Sequence, residues 1–303
     1  MIDLYLVQQV TGVLLIMGLI TLWRKLRKGR GISILIPFRS PINSCYSSVP
    51  TDQRSKNCMW VKKYWKTQLP GAEVIIGHDP FLKLPFSKSV AVNNAVAKSK
   101  GDILVIADAD GYFPAELVLH CAQKIRKARK KGQRLWYVPY RQFYRLTEEA
   151  SMCVLTSSPD DPYQFSTPPP PSCILDCSGS QHGHWYGAGI QIMPREAYEE
   201  VGGWDPRFRG WGGEDHAAMR AMDTLYWPHK TLPGQFLHLW HPMMSPTGVH
   251  KIVHWSERMW ENQTATGAND DLSGRYYGAT GDRKRMRKLV NEWRFVDAIN
   301  KTL

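Results

Sequence analysis

Between Gly202 and Asp215 the chain reads Gly-Gly-Trp-Asp-Pro-Arg-Phe-Arg-Gly-Trp-Gly-Gly-Glu-Asp, and few folds can use such a stretch. The pairs Gly202-Gly203 and Gly212-Gly213 permit positive φ and let backbone approach a ligand closely. Trp204 and Trp211 offer flat apolar faces for stacking, each with one N–H at its edge. Glu214 and Asp215 open an expected helix from Glu214 to Leu225, where the helix dipole favours carboxylates in the first turn. An aromatic platform beside a carboxylate pair suits sugar binding with a general base alongside. A surface turn leading into an acidic helix start would use the same residues.

A second stretch points the same way. Ile103 to Ala107 is a short apolar run, read as a buried strand, and it ends in Asp108-Ala109-Asp110-Gly111. Two carboxylates at a strand end can share one hard cation with a diphosphate, as magnesium and manganese do. Alone, such a pair is a common solvated turn; its place after an apolar strand gives it weight.

Four pieces, in order, resemble the GT-A glycosyltransferases, above all the beta-1,4-galactosyltransferases and their bacterial family 2 relatives. Ile34 to Arg39 resembles the first strand with its nucleotide-contacting Pro-Phe-Arg, here Pro37, Phe38 and Arg39. Phe86-Ser87-Lys88 to Asn93 resembles the helix start that borders the uracil. Asp108-Ala109-Asp110 resembles the metal motif. Trp185-Tyr186-Gly187-Ala188, followed by Gly210 to Asp215, resembles the family's Tyr-Phe-Gly-Gly and Trp-Gly-Trp-Gly-Gly-Glu-Asp. The likeness covers about Gly31 to Pro242. It departs at Trp185, where the family has tyrosine beside the donor sugar, and at His216, where a third acid is common.

The resemblance implies an α/β fold: a GT-A, Rossmann-like mixed sheet with flanking helices, binding a nucleotide-sugar. It implies donor contacts from Pro37, Phe38, Arg39, Asp79, Phe86, Lys88, Asp108 and Trp185. Acceptor and sugar contacts would come from Tyr186, Gly187, Trp211, Gly212, Gly213 and Glu214. Asp215 stands where the inverting enzymes keep their base. Asp108, Asp110 and His238 would hold Mn²⁺ or Mg²⁺, with His241 as the alternative to His238. Histidines three apart in a regular strand face opposite ways, so only one of the two is expected on the ion. For Asp79 an ordinary turn aspartate fits equally well, and for Lys88 a solvated lysine is the plain reading. The expected reaction is metal-dependent, inverting transfer of a hexose of galactose, GalNAc or glucose type from a UDP-sugar to a glycan, glycolipid or protein hydroxyl. A retaining transferase is the rival enzyme. A membrane-tethered, non-catalytic binder of nucleic acid or anionic lipid is the rival of another class, since the net charge of +12 attracts phosphate of any origin.

The chain divides into three parts. Residues 1–30 hold an apolar segment, Leu4 to Trp23, followed by Arg24, Lys25, Arg27, Lys28 and Arg30. Twenty residues at ~1.5 Å each could span a bilayer core. The charge distribution then places the rest on the cytoplasmic side, membrane-associated through a single pass. An amphipathic helix lying on a surface is the alternative. The apolar segment has no basic n-region and no Ala-x-Ala-like cleavage site, so a cleaved secretory signal is not expected. Residues 31–246 form the expected catalytic domain, with an insertion at about 145–184, and residues 247–303 a lid and a basic C-terminal helix. Strands are expected at 31–38, 72–77, 135–139, 184–193 and 234–240, and helices at 52–65, 87–98, 114–131, 194–201, 253–263 and 282–302. Cys173, Cys177, His182 and His184 could hold zinc, although their spacing fits no common finger and free thiols with rim histidines are the plainer reading.

Overall fold

The computed structural model describes residue 17 and residues 28–39, 52–82, 84–179, 187–210, 212–242 and 263–300, with backbone alone for 177–179, 263–267 and 295–300. The expected anchor at Leu4 to Trp23 and the expected helix at 253–263 lie outside these residues, Met17 and Gln263 apart. Among the described residues no helix is long and apolar enough to cross a membrane.

Two four-stranded sheets share one core. In the first, β1 (Ile32–Pro37) lies between β2 (Glu73–Gly77) and β3 (Ile103–Ala107), parallel to both, and β7 (Ile190–Pro194) closes the order β2-β1-β3-β7 antiparallel to β3. β1, β3 and β7 are buried at every position, which is why β3 is an unbroken apolar run and β1 and β7 each carry only one polar residue, Ser33 and Gln191. In the second sheet β4 (Gly111–Tyr112) pairs with β8 (Gln235–His238), and β8 with β5 (Gln142–Leu146), which in turn pairs with β6 (Ile174–Gly179). Gly111 sits at the join. A Cβ there would lie 2.0 Å from the Phe236 ring, so only glycine lets β4 run directly under β8.

Helices flank these sheets. α1 (Gln53–Gln68) begins at Asp52, whose carboxylate accepts from the Ser55 N–H, and α2 (Lys88–Lys98) begins at Ser87, whose hydroxyl accepts from Val90. α3 (Ala115–Arg129) follows β4, and α4 (Glu148–Thr156) follows β5. α5 (Arg195–Val201) ends in left-handed Gly202, and α6 (Glu214–Leu225) starts from left-handed Gly213. α7 (Gln263–Gly278) and α8 (Arg283–Asn300) pack on α6. Met286, Leu289, Val290 and Trp293 of α8 are buried, so its apolar side docks on the domain rather than on a membrane.

The structure departs from the sequence reading in three segments. The strand expected at 135–139 is reduced to isolated bridges at Tyr137, and the paired strand is β5, seven residues on from Leu135 at its start. The expected irregular insertion contains α4 and β6, with the proline-rich stretch alone between them lacking long elements. α7 was not expected, because its Gly, Asn and Asp content is poor for helices; burial of Leu272 and Tyr276 overrides that preference.

Candidate active site and metal centre

The site forms where the ends of β3 and β8 meet the start of α6. Asp108 follows β3 directly, and its N–H donates to the Gly189 carbonyl beside β7. Asp110, two residues on, accepts through its carbonyl from Leu239 N–H at 2.7 Å, so it belongs to the second sheet. The two carboxylates therefore face different partners.

Asp110 faces histidines. Its oxygens lie 3.4 Å from His238 Nε2 and 3.2 Å from His241 Nε2. Ligand atoms of these three residues all fall within 4.8 Å of one another, and they are the one such group among the described residues. The expectation that only one histidine could serve assumed a regular strand. β8 ends at His238, so the chain turns out of the sheet and brings His241 back to the same carboxylate. Asp108 is not in this group. Its carboxylate is 2.6 Å from Lys88 Nζ.

The chemistry of the trio fits a metal. Burial, above all, pushes His238 down to about 3, so it is a neutral imidazole at neutral pH. Burial alone would raise Asp110, but its contacts with His238 and His241 and the Arg54 guanidinium hold it well below the usual carboxylate range. His241 Nδ1 lies 3.1 Å from the Pro242 carbonyl and its Nε2 lies 3.2 Å from Asp110 Oδ2. With the ring proton on Nδ1, the Nε2 lone pair and the carboxylate oxygen would be two acceptors that a cation between them satisfies. One carboxylate and two imidazoles suit manganese better than magnesium, which prefers oxygen ligands alone.

Lys88 builds the other half. It projects from the first turn of α2, and its ammonium reaches Asp215 Oδ1 at 2.9 Å and Oδ2 at 3.1 Å as well as Asp108. The Trp204 ring lies 5.8 Å from the same nitrogen. Lys88 thus bridges β3 to α6. Burial raises Asp215 well above the usual carboxylate range; Lys88 opposes this, and Glu214 and Asp108 add to it. Glu214 is raised by burial too, with Lys88 opposing. Lys88 is held protonated against burial by Asp108, Asp215 and Glu214. His216, where the family commonly has an acid, is pushed down to about 4 by burial and by Arg220, so it adds no charge at neutral pH. Gly187 lies under this helix start, and at its φ of +65° a Cβ would meet the Asp215 carbonyl oxygen at 3.2 Å.

The remaining expected residues divide. Pro37 is in β1 and Phe38 is buried beside it. Asp79 is buried. Its side chain is fully covered and accepts from Arg39, Arg209 and the N–H groups of Phe81 and Ser87. Arg39 also donates to the Leu84 and Phe81 carbonyls and lies over the Phe86 ring at 5.4 Å. These contacts fasten the loop before α2 to the glycine–tryptophan loop, where Gly210 N–H donates to the Phe86 carbonyl. At Gly212 a Cβ would meet nothing within 4 Å among the described residues. Trp185, Tyr186 and Trp211 lie outside the described residues, as do His182, His184 and the Cys177 side chain; Cys173 is a half-buried free thiol. Sequence reasoning missed Arg54, whose guanidinium reaches His241 at 3.4 Å; it sits in no motif.

A family profile described as the N-terminal domain of galactosyltransferase matches residues 173–223. Chondroitin sulfate N-acetylgalactosaminyltransferase 2 of Homo sapiens is 28% identical over 162 residues, covering 52% of this chain and 27% of that protein. Its Mus musculus counterpart matches with the same identity and coverage. The chain spans about a quarter of the length of these curated relatives. Among solved structures, a Drosophila beta-1,4-galactosyltransferase 7 variant in complex with manganese, UDP-Gal and xylobiose is 13% identical, with a TM-score of 0.36 over 76% of this chain and 79% of that one. The profile match includes Gly210 to Asp215, so it falls on the segment whose residues carry the resemblance to galactosyltransferases.

Proposed function

We propose that this chain is a metal-dependent, inverting glycosyltransferase that moves a hexose from a UDP-sugar to an acceptor hydroxyl. The observation that carries the reading is the single lysine that ties Asp215, at the start of α6, to Asp108, two residues before the metal-capable Asp110. The galactosyltransferase-type segment and the relatedness to a GalNAc-transferase support it.

Asp110, His238 and His241 would hold Mn²⁺, which when bound would offset charge on the UDP leaving group. Asp215 takes the proton of the acceptor hydroxyl. A carboxylate raised by burial is a stronger base than one in water, and the Lys88 ammonium favours its ionised form. Glu214, beside it, orients the acceptor. Trp211 stacks on sugar in this reading, next to Gly212, where a Cβ would meet nothing within 4 Å among the described residues.

The membrane is part of the proposal. It rests on the apolar Leu4 to Trp23 and the five basic residues between Arg24 and Arg30, which assign the catalytic domain to the cytoplasmic side. The deciding experiment for the activity is a nucleotide-sugar panel with Mn²⁺. Metal-dependent release of UDP from at least one UDP-hexose is expected, with product of inverted anomeric configuration. Product of retained configuration would transfer the reading to a retaining enzyme, and no turnover of any donor would end it.

A further inference from the structure

We propose that Arg54 is an oxyanion-binding residue of this site and takes the diphosphate of the donor. This rests on the nucleotide-sugar reading above and adds a residue that no motif supplies.

α1 is fastened against the segment that carries the second histidine. Asn57 is fully buried and donates to the Trp240 carbonyl at 3.0 Å, and Gln53 donates to the Asn57 side chain at 2.9 Å. Arg54 lies one helical turn before Asn57, on the same face, and this places its guanidinium 3.4 Å from His241 Nε2. Its Nε is buried with no hydrogen-bond partner among the described residues. A second guanidinium is near: Arg145 of β5 is in register with His238 of β8 and pairs with Asp176 at 3.0 Å.

The charges do not balance without an anion. Asp110 is offset by Arg54, and Arg145 by Asp176. A divalent cation on the three ligands would leave two positive charges uncompensated, in a largely buried place where like charges repel strongly. A guanidinium beside a cation site is tolerated when an oxyanion lies between them, and arginine's planar fork suits phosphoryl oxygens. A diphosphate brings the required negative charge.

Binding of Mn²⁺ alone, uridine, UDP and inorganic pyrophosphate, the last two with Mn²⁺ present, is measured on the full chain by titration calorimetry. Arg54→Gln should weaken UDP and pyrophosphate by about 10- to 100-fold, the usual worth of a charge-assisted hydrogen bond. Uridine should change less than about 2-fold, and Mn²⁺ alone should not weaken, because the substitution removes a positive charge beside the cation site. Unchanged UDP affinity would overturn the assignment, and so would an equal loss for Mn²⁺ alone, which would mean a damaged metal cluster. Should Arg54→Gln fail to fold, Arg54→Lys reads the same question: a several-fold loss for UDP at constant Mn²⁺ affinity supports the role, and no loss overturns it. A parent chain that binds pyrophosphate but not UDP, with the Arg54-dependent loss intact, would remove the nucleotide-sugar reading and keep the oxyanion role. A parent that binds neither overturns the proposal.

Discussion

The Lys88 ammonium donates to both carboxylate oxygens of Asp215, at 2.9 and 3.1 Å. The same nitrogen is 2.6 Å from Asp108, so one cation serves both the strand end and the helix start. Lys88 lowers the Asp215 pKa against the effect of burial, and its removal must raise that pKa further. Lys88→Met should therefore shift the acid limb of the kcat profile to higher pH and reduce kcat at neutral pH. An unshifted limb in the variant would detach Lys88 from the base.

Asp215→Asn keeps the shape of the side chain and removes the proton acceptor. A fall in kcat of about 10²- to 10⁴-fold is expected, the usual weight of general-base catalysis. UDP affinity should change little, because the metal-capable group of Asp110, His238 and His241 does not include Asp215. Glu214→Gln should mainly raise the acceptor KM. Near-normal kcat in Asp215→Asn would assign the base elsewhere.

Excess EDTA should abolish turnover. Asp110→Asn, His238→Ala and His241→Ala should each weaken Mn²⁺ binding, since each removes one of three grouped ligands. Asp108→Asn should leave Mn²⁺ binding in the absence of donor nearly intact, as Asp108 faces Lys88. Calorimetry on the four variants checks the division, and a loss in Asp108→Asn as large as that in Asp110→Asn would return Asp108 to the metal.

Stability offers an independent check on the organising loop. Tyr276 of α7 donates to the buried Asp205 carboxylate at 2.9 Å, and Arg207 pairs with it at 2.6 Å. Tyr276→Phe should cost about 1 kcal/mol, and Asp205→Asn about 2–3 kcal/mol because the lost bonds involve a charge. Urea unfolding of the two variants measures both.

Deleting residues 1–23 should give a more soluble and still active protein if Leu4 to Trp23 is an anchor. Reporter fusions at Leu303 should report the cytoplasmic side. An external C-terminus would reverse the topology.

Much of this site is written locally and could be read without a structure. Asp52, Ser87 and Gly213 mark helix starts through residue chemistry at one position, and Asp108 follows an apolar run that had to be a buried strand. What escaped depends on partners far along the chain. β5 is a strand because β6 and β8 flank it, and its own residues, Gln142 to Leu146, carry no strong signal. His241 joins His238 because β8 stops, and strand ends are set by neighbouring chains rather than by the strand itself. Arg54 is an ordinary helix residue until α1 meets Trp240.

The metal-capable trio belongs to neither half of the chain alone. Asp110 lies before α3, and both histidines come after α6, so the cluster exists only once the Leu239 N–H has found the Asp110 carbonyl. That contact closes a long loop, and long-range closures come late and slowly in folding. Partly folded chains lack the cluster, so high-affinity Mn²⁺ uptake during refolding would time the moment at which the two sheets join.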